Sequence, residues 1–152
     1  MLRKEYGCKK MDEICIKPYI HHAQYYETDQ MVIIHHSNYI RWMEEARLDF
    51  MSQCGVPYKK LEETGIIIPV LSVSCQYRSM VHFDDCVAIR VKVVRYSGIK
   101  MDLEYAFTNT ETGELTTTGT SSHCFLTRNY RPISLIKDYS QSDERCRRMR
   151  TL

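Results

Sequence analysis

The densest cluster of chemistry-bearing residues runs from Tyr25-Tyr26-Glu27-Thr28-Asp29, across an apolar stretch, to His35-His36-Ser37-Asn38-Tyr39. This order puts an acid at the end of a strand and a histidine pair at the start of a helix. The first N–H groups of a helix lack intrahelical acceptors and carry the positive end of its dipole. Such a terminus accepts a developing oxyanion. A carboxylate beside it stays ionised, because the dipole favours the charged form. Asp29 and the helix amides would therefore suit attack on a carbonyl carbon. By residue type alone, Asp29 equally serves to end a strand or cap a turn.

The other motifs exclude several classes. No G-x-S-x-G, phosphate-binding glycine loop, G-x-G-x-x-G or H-E-x-x-H occurs. Four of the six histidines form the adjacent pairs His21-His22 and His35-His36. Neighbours on a strand face opposite ways, and i, i+4 spacing is missing, so a His-dependent metal protein is the least favoured reading and no metal is expected. Seven scattered cysteines without a C-x-x-C pair read as reduced thiols, mostly small apolar core residues. The net charge is +2, and the basic excess sits at the two ends of the chain, not on a surface that would track nucleic acid. These ends read as solvated. The longest apolar run, Ile66–Leu71, is broken by Pro69, whereas a membrane span needs ~20 residues. Without an apolar stretch suited to a secretory signal, the expected location is cytoplasmic.

A length of 152 residues fits one domain. Residues 18–28 are Tyr-rich and read as a strand. Ser37–Cys54 is the best helix: Tyr39, Met43, Ala46, Phe50 and Cys54 share one face, with Ser37 or Asn38 as N-cap and Gly55-Val56-Pro57 as the stop. A short helix follows over Tyr58–Glu63. The period then changes to two. Strands are expected over Ile66–Val81, with Pro69 confining that one to an edge, from Val87 to Val94, from Ile99 to Phe107, and over Glu114–Arg128. Gly119 within the last suggests a bulge or a close backbone approach. The fold class is α+β, a long antiparallel sheet curled around one central helix, the only element long enough to cover its apolar face. The organisation is an N-terminal extension over 1–16, a domain over 17–135 and a polar tail over 136–152. Met11 is an alternative start.

The segment TDQMVIIHHSNYIRWMEEAR, Thr28–Arg47, resembles the signature of the 4-hydroxybenzoyl-CoA thioesterase family, in particular its YbgC-like acyl-CoA thioesterases. Thr28 and Asp29 match the opening of the pattern, His36 its histidine, Tyr39 its tyrosine, and Trp42, Glu44, Glu45, Ala46 and Arg47 its remainder. The resemblance extends more loosely over residues 17–135. It implies a hotdog fold and an acyl-CoA thioesterase that needs no cofactor and works as a homodimer or homotetramer. It makes Asp29 the nucleophile or the base for water, and puts the His36 N–H against the thioester oxygen. It gives substrate contacts to Val32, Ile33, Ser37 and Tyr39, with Arg90 and Lys100 among the strand-borne cations for the phosphates of coenzyme A. A related clade uses a helix carboxylate, which makes Glu44 the fallback acid.

The family pattern has glycine where this chain has Val32. Valine adopts positive φ with difficulty, so either the loop takes another path or acyl access narrows. On the sequence alone, Val32→Gly should cost about 1 kcal/mol or less in stability. The alternative reading is a non-catalytic acyl-CoA or acyl-carrier binding module on the same fold.

Overall fold

The structure is a computed structural model that describes residues 15–152. Most of the expected N-terminal extension, Met11 included, lies outside the described residues. Alternation of apolar and polar residues builds a five-stranded sheet from β1 (Tyr19–His22), β3 (Val70–Tyr77), β4 (Cys86–Tyr96), β5 (Lys100–Asn109) and β6 (Leu115–Cys124). Their order across the sheet is β1-β4-β5-β6-β3, and every pairing is antiparallel. Helix α1 (Ser37–Gln53) lies against the inward face, burying Trp42, Met43, Ala46 and Phe50 over Val87, Ile89, Leu103, Tyr105 and Phe107. This is the helix-wrapped sheet that the resemblance implies.

Gly119 resolves as a close approach and not as a bulge. The register runs unbroken from Cys75 through Gly119 to Tyr105. A Cβ at Gly119 would lie 3.0 Å from the Met43 sulfur and 3.1 Å from the Ser74 carbonyl. The helix therefore sits directly on the sheet backbone at this point.

Four expectations are corrected. The strand predicted over 18–28 stops at His22, and Tyr25–Glu27 forms a 3-10 turn closed by a capping box between Gln24 and Glu27. The strand predicted over 66–81 is cut at Pro69, which has no N–H for the ladder. Its first piece, β2 (Ile66–Ile67), pairs instead with β7 (Leu126–Thr127), the detached end of the Thr-rich strand. After α2 (Tyr58–Glu63), the second piece becomes edge strand β3.

The third correction concerns the polar tail over 136–152: it carries helix, as one reading of its sequence allows, but it is docked where a solvated end is expected. It folds as α3 (Leu135–Asp138) and α4 (Ser140–Met149), with Cys146 and Met149 buried. The Tyr96 hydroxyl donates to Asp143 at 2.8 Å. Charged residues on three sides of α4 hide its narrow apolar stripe in a composition count.

The fourth concerns the thiols. Of the described cysteines only Cys54 and Cys146 are buried; Cys75, Cys86 and Cys124 are half-buried and Cys15 is exposed. Burial pushes the Cys54 thiol up to about 11 and the Cys146 thiol up to about 12. Among the described residues, no helix is long and apolar enough to cross a membrane.

A polar cluster lies under α1. The Tyr105 and Ser121 hydroxyls are 2.8 Å apart, Ser121 is 2.7 Å from Nε2 of His123, and Arg47 donates to that nitrogen at 3.4 Å. Burial, aided by the Arg47 guanidinium, holds His123 down to about 4. The unfolded value is ~6.5, so the unfolded chain binds this proton first. Stability from a neutral His123 is complete above about pH 6.5 and is lost as pH falls from there toward 4, in total of the order of 3 kcal/mol. Thermal unfolding between pH 7.5 and 4.5 should show a falling melting temperature in the natural chain and a flatter profile in His123→Gln. Equal slopes would remove His123 as the cause.

Candidate active site

A tight hairpin leads into α1. Thr28 and Ile34 form an isolated antiparallel bridge. The Asp29 N–H donates to the Ile33 carbonyl at 2.9 Å, and the His35 N–H to the Glu27 carbonyl at 2.8 Å. Asp29 turns the tip itself: its Oδ1 accepts the Met31 N–H at 2.8 Å, an Asx turn. Buried Ile34 donates its N–H to Val81 at 2.8 Å and fastens the hairpin to the core. One arm thus carries Asp29, and the other runs straight into the first turn of α1.

His36 is the N-cap of α1, one residue before Ser37 and two before Asn38, the two expected caps. Asn38 is used elsewhere, donating from Nδ2 to the Glu27 carbonyl at 2.9 Å. Ser37 is held by His35, whose Nδ1 accepts the Ser37 N–H at 3.2 Å and lies 2.8 Å from its hydroxyl. The Tyr77 hydroxyl donates to the His36 carbonyl at 3.2 Å. The His36 N–H itself meets no acceptor among the described residues. The same holds for Asp29 Oδ2, since only Oδ1 is engaged. Asp29 thus keeps one carboxylate oxygen, and the start of α1 one amide, without a partner among the described residues.

The other predicted site residues divide. Val32 and Ser37 are exposed at the hairpin and helix start, and Ile33 is half-buried beside them. Tyr39 is buried among the rings of Trp42, Tyr77 and Phe107, and burial pushes its phenol up to about 12. It packs the floor beneath the helix start and reaches no surface. Arg90 is exposed on β4 and lines, with Lys92, Asp49 and Phe50, a depression of about 580 Å³ that includes neither Asp29 nor His36. Lys100 opens β5 at the end remote from Phe107 and the helix start, roughly 20–25 Å away at ~3.3 Å per residue. One chain does not bring these two cations to Asp29. Glu44 is exposed on α1, 3.7 Å from Arg47. Among the described residues, no group of three His, Cys, Asp or Glu side chains could hold a metal ion. The two members of the first histidine pair diverge, His21 toward Glu27 and His22 toward Asp84.

Sequence reading assigned no role to Glu27, which proves to be the buried carboxylate of the region. Burial alone would raise its pKa, but the Gln24 N–H, His21 and the Trp42 indole outweigh it and hold the carboxyl below the usual range. The signal was the Gln24-to-Glu27 capping-box spacing, masked by the strand-like Tyr pair between them.

Val32 has φ of +63° and stands 70% exposed. The loop therefore follows a path open to glycine, and valine bears the strain of it. A left-handed residue with a Cβ costs ~1–2 kcal/mol, against ~0.4–1 kcal/mol for the extra unfolded freedom of glycine. This reverses the expectation from sequence: Val32→Gly should gain about 0.5–1 kcal/mol, seen as a rise of roughly 2–3 °C in melting temperature. A fall would mean that Val32 has packing partners that offset its backbone.

Residues 24–142 match the model of the thioesterase-like superfamily. A Bacillus subtilis (strain 168) protein named "Putative acyl-CoA thioesterase YneP" is 32% identical over 118 residues, covering 77% of this chain and 85% of that one. The structure of a DHNA-CoA thioesterase from Staphylococcus aureus superposes with a TM-score of 0.84 at 32% identity, over 90% of this chain and 91% of that one. A 1,4-dihydroxy-2-naphthoyl-CoA thioesterase from Synechocystis shares the fold at 14% identity, with a TM-score of 0.73 over 84% of this chain and 93% of that one. The chain belongs to the thioesterase-like superfamily, and its α+β architecture is the hotdog fold. It is a thioester hydrolase of that fold.

Proposed function

We propose that this protein hydrolyses an acyl-CoA thioester to the free acid and coenzyme A, with Asp29 as the acting carboxylate and the His36 N–H as the oxyanion donor. The observation that carries the reading is the His36 amide, unpaired at the N-terminus of α1 and tied through the Thr28–Ile34 bridge to the arm bearing Asp29. As a base, Asp29 takes a proton from water while the water oxygen adds to the thioester carbonyl. As a nucleophile, its oxygen adds directly and water later cleaves the mixed anhydride. In both routes charge builds on the carbonyl oxygen, where the helix amide meets it. Collapse breaks the C–S bond and releases the thiolate, a leaving group that needs little protonation. Two relatives named as CoA thioesterases at 32% identity support coenzyme A as the thiol carrier.

Edge strand β3 exposes Val70, Leu71, Val73 and Tyr77. An unpaired apolar edge favours association. We infer a homodimer or homotetramer, which sedimentation will test. A panel of short, long and aromatic acyl-CoAs, followed with a thiol-detecting reagent, tests the activity. Thiol release on at least one member is expected. Saturable binding without thiol release from any member would establish the binding module instead.

A further inference from the structure

Glu27 is hydrogen-bonded to β1, the 3-10 turn, the second hairpin arm and α1 around the candidate site. Its carboxylate accepts the Gln24 N–H at 2.8 Å and the Trp42 indole N–H at 2.8 Å, and lies 3.0 Å from His21 Nε2. Its carbonyl accepts the His35 N–H at 2.8 Å and Asn38 Nδ2 at 2.9 Å. The first set joins β1, the 3-10 turn and the second turn of α1. The second joins the hairpin to the first turn of the same helix. Asp29 follows two residues later on one arm, and His36 stands next to His35 on the other. The network continues outward, with His21 Nδ1 3.4 Å from Glu45, which also accepts the Tyr19 hydroxyl at 2.8 Å.

We propose that Glu27 is a positioning residue for thioester hydrolysis, a buried brace that sets where the Asp29 carboxylate stands relative to the His36 amide. The inference rests on the catalytic roles proposed for those two residues. A residue that only filled space at this point would be apolar. Burying a carboxylate is costly unless its lone pairs are met, and here three donors converge on it. The arm needs such a brace. Its tip is exposed and holds Val32 in a left-handed conformation. Apart from Glu27, the side-chain bonds on the Asp29 arm are local, from Thr28 to the Tyr25 carbonyl at 2.7 Å and from Met31 to Asp29 itself. Displacement of a reacting group by ~1 Å costs about 10²-fold in rate. Loss of the brace should therefore slow turnover without removing any group that meets substrate.

The test uses the full chain and three variants: Glu27→Gln, Trp42→Phe and the two combined. Glutamine keeps the size of the side chain but turns an NH₂ toward the donors. Phenylalanine keeps a buried aromatic ring and deletes the indole donor along with the volume of one ring, a loss that a thermal melt registers, and it supplies a second variant should Glu27→Gln fold poorly. The readouts are kcat and KM on an acyl-CoA that the natural chain hydrolyses, and amide hydrogen exchange by segment. Glu27→Gln is expected to lower kcat about tenfold or more and change KM by less than about threefold, with a smaller loss for Trp42→Phe. The double variant should be no worse than Glu27→Gln, because the two act as one unit. Exchange should quicken over residues 29–38 and stay unchanged in β4, β5 and β6. A kcat within about twofold of the natural chain, multiplying losses in the double variant, or unchanged exchange over 29–38 would each overturn the brace. If the natural chain hydrolyses no acyl-CoA, the functional reading fails, and the exchange pattern alone still decides whether Glu27 holds the two arms together.

Discussion

Asp29→Asn should reduce acyl-CoA hydrolysis by ~10²–10⁴-fold, the usual contribution of a positioned base, with little change in melting temperature. Asparagine retains the Oδ1 acceptor that closes the turn on the Met31 N–H, so the hairpin tip keeps its shape. What it loses is the charge on Oδ2, the oxygen with no internal partner. Steady-state kinetics with a thiol reagent, next to a thermal melt of the same preparation, separates these effects. A variant that turns over at near-natural rate would refute Asp29 as the acting group and shift the role to Glu44. A melting temperature lowered by more than about 5 °C would show that the charge is structural, since a half-buried turn residue that keeps its hydrogen bond should matter by ~1 kcal/mol or less.

The second large effect is on stability. Ending the chain at Tyr139 removes α4, and with it the buried side chains of Cys146 and Met149 and the Asp143 acceptor of Tyr96. Full burial of a side chain such as methionine is worth ~1.5–3 kcal/mol, and Cys54, close to Cys146, would lose its neighbour as well. The loss should reach about 3–5 kcal/mol, a large share of the ~5–15 kcal/mol that holds a domain folded. At ~2–4 °C per kcal/mol, the melting temperature should fall by roughly 10 °C or more. The single substitution Met149→Ala should cost ~2–4 kcal/mol by the cavity it leaves. A truncated chain that melts with the natural one would mean that α4 rests on the domain without stabilising it.

The parts of this fold that were legible from sequence are those whose signal is periodic. Helix α1 announces itself through Tyr39, Met43, Ala46 and Phe50, and β4 and β5 through strict alternation; all three stand within about two residues of their expected limits. The roles proposed for Asp29 and His36 rest on a long motif, Thr28–Arg47. What stayed hidden depends on contacts distant in sequence. Glu27 becomes a brace only because Trp42 and His21 fold back on it. Residues 66–67 leave the main sheet because β7 offers them a partner. The docking of α4 rests on three positions among charged neighbours, and the partner Tyr96 lies far upstream. Val32 is the opposite case. Its departure from the pattern was plain, but only the backbone angle tells whether the loop moved or the residue yielded.

The burial of Cys146 beneath the last helix has a practical corollary for kinetics. A thiol with a pKa near 12 and no access to solvent is invisible to alkylating reagents at neutral pH. It becomes reactive only when the segment covering it lifts. Pulses of reagent, with the labelled position read by mass, would therefore time the detachment of α4 in the native protein. Exposed Cys15 would serve as the internal reference for reagent strength, and Cys54, just past the C-terminal end of α1, would report a deeper opening.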